Sequence, residues 1–235
     1  MTIKAILLDL DGTLLPMDLK TFQFTSGRLF AEKMTVHGYD AEELAKANWT
    51  ATLAMSANDG SRLNAEVYFD KMTEIYGPSV KKDFDLFRSF YDNEFDKVKE
   101  VCGFNPDSGP AVCKLKDAGY RLVMATNSWF PESAIKARLR WAGVDAELFE
   151  FMTLMDNSHF CKPNPGYYKE ILDRLGLAPE ECLMVGNDVQ EDISAENLGI
   201  KVFLMTDDLI NRTGEDVSHI PQGGFTELFE YLNID

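Results

Sequence analysis

The sequence predicts an α/β fold in which a parallel sheet carries an inserted set of helices. Four short apolar segments have the length of strands and are bounded by turn residues: Ala5–Leu8, Arg121–Ala125, Cys182–Val185 and Lys201–Leu204. They are apolar at nearly every position, which is typical of parallel strands that are buried on both faces. Helical patterns lie between the later segments. Strands that alternate with helices in this way indicate βαβ units and a parallel sheet.

The helices predicted between these strands each end where the chain reaches a glycine. They cover Ser108–Ala118, Pro131–Ala142, Pro165–Leu175 and Asp188–Leu198. Glycine is the favoured residue just beyond a helix, and proline suits the first helical turn. These signals therefore place four helices in the sheet region.

The segment from Met17 to Val101 follows a different pattern. It has no strand-like segment, its apolar residues recur at helical spacing, and glycine-containing turns interrupt it near residues 38, 60 and 77. We expect three or four helices here, forming a cap over residues 17–101 that is inserted into a core of residues 1–16 and 102–235. Such an insert lies above the carboxyl ends of the strands, where ligands bind in open α/β sheets.

The composition excludes several classes of function. The 235 residues include 39 Asp and Glu but only 23 Lys and Arg, so the formal net charge is −16. This excess of acid argues against nucleic acid and anionic membranes as partners, because both require clustered basic residues. No apolar stretch reaches the roughly 18 residues that span a bilayer. We expect a cytoplasmic protein, and no pattern indicates its oligomeric state.

Two acidic motifs directly follow predicted strands. Asp9 and Asp11 stand after the first strand, and Asp188 and Asp192 stand after the strand that ends at Val185. Either motif alone could be an ordinary solvated turn. Because the carboxyl ends of parallel strands meet at one edge of a sheet, the two motifs together favour a carboxylate site for a hard cation such as Mg²⁺.

Two further motifs have groups that can bind an anion. Thr126 and Asn127 follow the second predicted strand, where a hydroxyl and main-chain N–H groups can hold a phosphate oxygen. Lys162 lies in a loop stiffened by Pro163 and Pro165, and its ammonium could neutralise the acids and a phosphoryl group. Taken alone, the first motif is more often an ordinary turn, and the second is more often a surface lysine.

In their order along the chain, these motifs resemble those of the haloacid dehalogenase (HAD) superfamily. The similarity covers Asp9-x-Asp11-Gly12-Thr13, then Thr126, then Lys162-Pro163, then Gly186-Asn187-Asp188-x-x-x-Asp192. It implies a Rossmann-like core with a helical cap inserted after the first motif, which agrees with the pattern of residues 17–101.

The resemblance also implies a role for each site residue. Asp9 is the expected nucleophile and Asp11 the general acid/base, while Thr126, Asn127 and Lys162 hold the phosphoryl group. Asp9, Asp188 and the main-chain carbonyl of Asp11 are the expected Mg²⁺ ligands. Asp192 is expected to orient Lys162 or a metal-bound water.

These roles predict a Mg²⁺-dependent phosphatase that hydrolyses a small phosphorylated metabolite through an aspartyl-phosphate. Family members that displace halide lack an acid two residues after the nucleophile, so Asp11 favours phosphoryl transfer. A phosphoglucomutase-like phosphotransferase shares the same motifs and stays open as an alternative, as does a non-catalytic binding protein on this fold. Within the cap, the Asn58–Arg62 turn is the segment that we expect to reach the substrate.

Overall fold

A parallel sheet of six strands forms the centre of the molecule in a computed structural model that describes residues 2–234. The strands are β1 (Ala5–Leu8), β2 (Arg121–Met124), β3 (Phe151–Met152), β4 (Cys182–Gly186), β5 (Lys201–Met205) and β6 (Gln222–Gly223), and their order is β3-β2-β1-β4-β5-β6. All neighbouring pairs are parallel. The predicted α/β fold with a parallel sheet is confirmed.

The four strands that the sequence predicts are the four longest of this sheet. β1 and β4 are buried along their whole length, and the side chains of β1 alternate between the two hydrophobic clusters that cover the sheet faces. The edge strands β3 and β6 were not predicted, because two residues are too short to form a hydrophobic pattern.

The helices are α1 (Leu19–Met34), α2 (Ala41–Ser56), α3 (Asn64–Tyr76), α4 (Phe84–Asn93), α5 (Ser108–Asp117), α6 (Glu132–Trp141), α7 (Pro165–Leu175), α8 (Val189–Asp192) and α9 (Phe225–Leu232). The helix predicted over Asp188–Leu198 is the short α8 followed by a 3₁₀ helix over Ile193–Leu198. The sequence analysis did not predict α9. In residues 2–234, no helix is long and apolar enough to cross a membrane.

Helices α1–α4 and three 3₁₀ helices account for the regular structure between Leu19 and Val101. The two ends of this segment lie side by side: Met17 and Cys102 form an antiparallel bridge, and the N–H of Gly103 donates to the carbonyl of Pro16 at 2.7 Å. Because the chain leaves and re-enters the core at this one place, we propose residues 17–101 as the cap domain.

Aromatic side chains pack the cap onto the core. Phe22 of α1 contacts Phe130, which follows β2, with ring centroids 6.0 Å apart. Phe95, at the end of the cap, stacks on Trp141 of α6 at 5.2 Å. These rings belong to one hydrophobic cluster that also includes Ile6 and Leu8 of β1. The cap and the core therefore share a continuous apolar interior.

A buried amide fastens the start of α3 to the core. The side chain of Asn64 is fully buried and donates to Ser128 Oγ at 3.0 Å and to the carbonyl of Phe160 at 3.3 Å. Its N–H donates to the carbonyl of Ser158 at 2.9 Å, and its Oδ1 accepts from Asn58 Nδ2 at 2.9 Å. The turn before α3 is therefore a docking point of the cap.

We expect Asn64→Ala to lower the free energy of unfolding by about 1–3 kcal/mol, because it leaves buried polar partners unsatisfied. Urea denaturation measures this change. Asn93→Ala is the matched control, since Asn93 is exposed on α4 and makes one hydrogen bond to the carbonyl of Ser89. The control is expected to change stability by less than about 0.5 kcal/mol. Equal effects in the two variants would contradict the docking role of Asn64.

Candidate active site

The predicted site residues meet at the carboxyl edge of the sheet. Asp9 directly follows β1, and its N–H donates to the carbonyl of Val185 in the neighbouring β4 at 2.9 Å. Thr126 follows β2 and Asp188 follows β4. These ends surround a small cavity of about 40 Å³. Its polar lining consists of Asp9, Asp11, Thr126, Asn127, Asn187, Asp188 and Glu191.

Two glycines allow close packing around the cavity. Gly12 has a φ of +82°, and a Cβ at this position would lie 2.1 Å from Nδ2 of Asn187 in the other acidic motif. A Cβ on Gly186 would lie 2.1 Å from Oδ2 of Asp192 in the same motif. A larger residue at position 12 would therefore push the two motifs apart, and one at position 186 would displace Asp192.

Lys162 connects two of the acids. Its Nζ donates to Asp9 Oδ1 at 3.0 Å and to Asp192 Oδ1 at 2.7 Å, and all three side chains are buried. The second oxygen of Asp192 accepts from the N–H of Asp188 at 2.9 Å. Asp192 therefore fixes both Lys162 and the start of α8, and its contact with Lys162 is one of the two roles that the sequence predicted for it.

Burial dominates the protonation equilibria of this cluster. It raises the pKa of Asp9 above the usual range of an aspartate, and Lys162 acts against this shift. It likewise raises the pKa of Asp192 to about 6. Burial also opposes the charge on Lys162, but the carboxylates of Asp192 and Asp9 outweigh it and raise the pKa of the ammonium. The lysine therefore stays protonated and offsets the negative charge around Asp9.

Asp11 is paired with an arginine that the sequence analysis did not single out. Arg138 of α6 has 0% exposure, and its Nη1 donates to Asp11 Oδ2. Its guanidinium lies 4.4 Å from the ring centroid of Phe130 and 5.5 Å from that of Phe22 in the cap. Oδ1 of Asp11 and Nη2 of Arg138 are buried and have no partner among residues 2–234. The expected acid/base is thus held by a buried cation at the boundary between cap and core.

Asp188 is paired with Arg212, which lies in the loop after β5. The contact is bidentate, with Nη1 donating to Oδ1 at 2.9 Å and Nη2 lying 2.5 Å from Oδ2. Asp188 also caps α8, because its Oδ1 accepts from the N–H groups of Gln190 and Glu191 at 3.0 and 3.1 Å. Its carboxylate therefore has a fixed orientation toward the cavity.

Of the expected phosphate-binding residues, Thr126 and Asn127 line the cavity, whereas Lys162 is not part of its lining and contacts it through Asp9. The carbonyl of Thr126 accepts from the hydroxyls of Thr153 and Tyr167 at 2.6 and 2.8 Å, which fixes the main chain at that point. Asn127 Nδ2 donates to Glu191 Oε2 at 3.1 Å. Burial raises the pKa of Glu191 to about 8, so this side chain is mostly protonated at neutral pH.

The side chains of Asp9, Asp11 and Asp188 share the cavity but do not form the carboxylate cage that the sequence suggested. Within residues 2–234, no three His, Cys, Asp or Glu side chains are grouped as a metal site. The physical reason is that each of the three carboxylates is paired with a cation: Asp9 with Lys162, Asp11 with Arg138 and Asp188 with Arg212. Asp9, Asp11 and Asp188 as metal ligands therefore stay a prediction.

The donor set nevertheless suits a hard cation. Asp9 Oδ2 accepts only one long hydrogen bond within the described chain, from Thr13 Oγ1 at 3.5 Å, and Asp11 Oδ1 accepts none. Asn187 also lines the cavity, and its Oδ1 accepts from Thr13 Oγ1 at 3.0 Å. Oxygen ligands of this kind, completed by water and a main-chain carbonyl, are those that Mg²⁺ prefers.

The Asn58–Arg62 turn, which we expected to reach the substrate, does not line the cavity around Asp9. Arg62 pairs with Asp70 on the surface of the cap, and it is not among the residues that line the catalytic cavity. Gly60, in the same turn, packs tightly on the ring of Phe160. This turn contacts the core, and the cap residue that reaches the cavity is Leu19 at the start of α1.

A family model of haloacid dehalogenase-like hydrolases matches residues 3–199, which include every motif at this cavity. The chain belongs to this family. A glyceraldehyde 3-phosphate phosphatase of Methanothermobacter thermautotrophicus is 30% identical over 208 residues, covering 79% of this chain and 87% of that protein. Pyrophosphatase PpaX of Bacillus cereus is 25% identical over 202 residues, covering 86% of this chain and 82% of that protein. The prediction of a HAD-type hydrolase is confirmed, and these relatives are named phosphatases.

Solved structures of HAD proteins have the same fold. A HAD phosphatase from Thermococcus onnurineus aligns over 99% of both chains with a TM-score of 0.57 and 20% identity. YfnB from Bacillus subtilis aligns over 100% of both chains with a TM-score of 0.57 and 19% identity. Such neighbours support the HAD-like arrangement of sheet and helices for this chain.

Proposed function

We propose that this HAD hydrolase is a Mg²⁺-dependent phosphatase that acts on a small phosphorylated metabolite through an aspartyl-phosphate on Asp9. The observation that carries the proposal is the position of Asp9: it is buried at the end of the central strand, held by Lys162, with Asp11 two residues further along the same cavity. The phosphatase names of the matched relatives support this reaction class.

In the first step, Asp9 attacks the phosphorus, and the ester oxygen leaves as an alcohol. Lys162, which already donates to Asp9 Oδ1, offsets the charge that would otherwise repel the phosphoryl group. Thr126 and Asn127, which line the same cavity, bind phosphoryl oxygens. Asp11 donates the proton to the leaving oxygen.

In the second step, Asp11 takes a proton from the water that attacks the phosphorus of the aspartyl-phosphate. The bond between phosphorus and the Asp9 oxygen breaks, which releases inorganic phosphate and restores the Asp9 carboxylate. Arg138 donates to Oδ2 of Asp11. The unpartnered Oδ1 is the oxygen that is free to face the leaving group.

Mg²⁺ bound by Asp9, Asp188 and the main-chain carbonyl of Asp11 would supply further positive charge at the phosphoryl group. One structural neighbour, YfnB, is described as bound to magnesium. We expect turnover to require Mg²⁺ and to fall to background in excess chelator. Excess Ca²⁺ is expected to inhibit, because its larger radius and looser coordination misplace the nucleophile. Full phosphate release with the chelator present would contradict this expectation.

A phosphate-release screen over sugar, nucleotide and carboxylic acid phosphates tests the proposed function. Release of inorganic phosphate in proportion to substrate consumed supports a phosphatase. Conversion of a sugar phosphate to its isomer without phosphate release would favour the phosphoglucomutase-like alternative. An absence of turnover on every ester with Mg²⁺ present would favour a non-catalytic binding protein.

A further inference from the structure

The cap contains a second cavity directly behind the catalytic one. It has a volume of about 60 Å³ and is enclosed by helices α1–α4 on one side and by the loop after β2 on the other. Trp129 and Phe130 of that loop line both this inner cavity and the catalytic cavity. Only these two side chains are shared, so they form the partition between the phosphate end of the site and the interior of the cap.

A third space continues from the inner cavity to the outer face of the cap. It is a groove of about 480 Å³ between α1 and α2. Gln23, Gly27, Asn48 and Trp49 line both the groove and the inner cavity. The catalytic cavity, the inner cavity and the groove therefore follow one another in this order, and each neighbouring pair shares lining residues. We call the three spaces together the cap tract.

The inner cavity is lined mainly by aromatic and other apolar residues, and the groove has two aromatic residues beside the charged side chains of Lys20, Arg28, Glu32 and Glu42. Phe24, at the groove, is 72% exposed, and Trp49 is 44% exposed, so two of the larger exposed apolar side chains of the molecule stand at its outer end. Trp49 contacts Trp129 across the inner cavity at 6.3 Å, edge to face. Isolated exposed aromatics are common, but a set that continues inward to a reactive carboxylate is typical of a ligand-binding surface.

The polar cleft on the other side of the site differs in chemistry. It lies between residues 17–20 and 206–212 and shares Leu19 and Ile210 with the catalytic cavity. Asp18, Asp207 and Asp208 line this cleft together with Lys20 and Arg212, so its walls are charged and suit a polar occupant. The inner cavity has no carboxylate in its lining. Its polar lining includes the amides of Gln23 and Asn48 and the guanidinium of Arg88, which pairs with Asp156.

We propose that the cap tract binds the alcohol part of the substrate, and that this alcohol is extended and largely apolar or aromatic, with few polar groups. This inference rests on the proposed phosphatase function, because the phosphoryl group is placed at Asp9. Trp129 and Phe130 move apart to let the ester pass, and Trp49 covers the outer end. Esters with highly polar alcohols, such as sugar phosphates, leave the aromatic walls of the tract without a partner.

Gly27 offers a clean way to obstruct the tract. It lies in the middle of α1, lines both the inner cavity and the groove, and has nothing within 4 Å of the position of a Cβ, so Gly27→Leu places a side chain at the wall that the two spaces share. Thr25→Leu is the matched control, because Thr25 is on the same helix and lines none of the three spaces. The probes are phenyl phosphate and 4-pentylphenyl phosphate, which differ only in the apolar tail.

We expect the wild-type protein to prefer the pentyl ester in kcat/KM by at least tenfold, since each buried methylene is worth roughly a fourfold gain. Gly27→Leu is expected to remove this preference, and Thr25→Leu to retain it. Equal kcat/KM for both esters in the wild type would contradict binding of the alcohol in the cap tract. A preference for the pentyl ester that Gly27→Leu leaves intact would contradict it as well.

A binding measurement separates this inference from the proposed function. Benzylphosphonate and 4-pentylbenzylphosphonate are not hydrolysed, and calorimetry gives their dissociation constants in wild type and Gly27→Leu. One outcome is that neither ester is hydrolysed, but wild type binds the pentyl phosphonate at least tenfold more tightly than benzylphosphonate and Gly27→Leu does not. In that case the cap tract is supported and the phosphatase proposal fails. If both esters are hydrolysed but the two phosphonates bind equally, the tract is refuted and the phosphatase proposal stands.

Discussion

Asp9→Asn is expected to lower kcat for phosphate release to background. The loss should exceed the roughly 10²–10⁴-fold that removal of a general acid or base costs. The amide keeps the size of the side chain but cannot form the acyl phosphate bond, so the reaction loses its covalent step rather than one of its proton transfers. Steady-state kinetics with Mg²⁺ on the best ester from the screen measures the loss.

The same variant is expected to stay folded. Burial raises the pKa of Asp9, so keeping this carboxylate ionised lowers the free energy of unfolding. Asparagine removes that cost, and Lys162 keeps its hydrogen bond to Asp192. Thermal unfolding should therefore occur no lower than in the wild type. Asp173→Asn, at an exposed residue paired with Lys169, controls for the substitution itself and should retain full activity. Near wild-type turnover in Asp9→Asn would exclude Asp9 as the nucleophile.

Arg138→Met is expected to lower the free energy of unfolding by about 3–5 kcal/mol, which is the usual cost of removing one partner of a buried ion pair. Methionine can occupy much of the arginine's volume, but it leaves the carboxylate of Asp11 without its cation. It also removes the contacts of the guanidinium with the rings of Phe22 and Phe130. Urea denaturation followed by circular dichroism measures the change.

The helix that carries Arg138 provides its own control. Arg140 lies two residues further along α6, is exposed, and pairs with Asp96 at 2.6 Å. Arg140→Met is expected to cost at most about 1 kcal/mol, because exposed ion pairs contribute little. The double variant Asp11→Asn with Arg138→Met should recover part of the loss, since no uncompensated carboxylate remains. Equal losses in Arg138→Met and Arg140→Met would contradict a buried pair between Arg138 and Asp11.

The sequence predicted the sheet because four of its strands are apolar at nearly every position and long enough to be distinguished from loops. It also placed Asp9, Thr126 and Asp188 at one edge, since the ends of parallel strands must meet there. The same reasoning could not find Arg138. Its contact with Asp11 spans 127 positions, and no motif connects the two residues. The one available signal was an arginine on the buried face of α6, beside Ala134 and Ile135.

The ion pairs of the site could not be predicted from the sequence for a related reason. The motif gives the carboxylates, but which cation each one meets depends on residues outside it. Arg212 reaches Asp188 only because the loop after β5 folds back onto the end of β4, where the N–H of Ile210 donates to the carbonyl of Asn187 at 2.8 Å. Glu191 on α8 lines the cavity and is only partly exposed, although its place in the sequence is typical of a solvated acid.

The central claim is that the phosphoryl group passes through Asp9. The most direct test is to mix the protein with Mg²⁺ and an excess of its best ester, to quench in acid during turnover, and to map phosphorylated peptides by mass spectrometry. The account predicts a phosphoryl group on Asp9 that forms at least as fast as phosphate is released and disappears when the ester is exhausted. Sustained phosphate release with Asp9 unmodified throughout, or with the phosphoryl group on another residue, would contradict it.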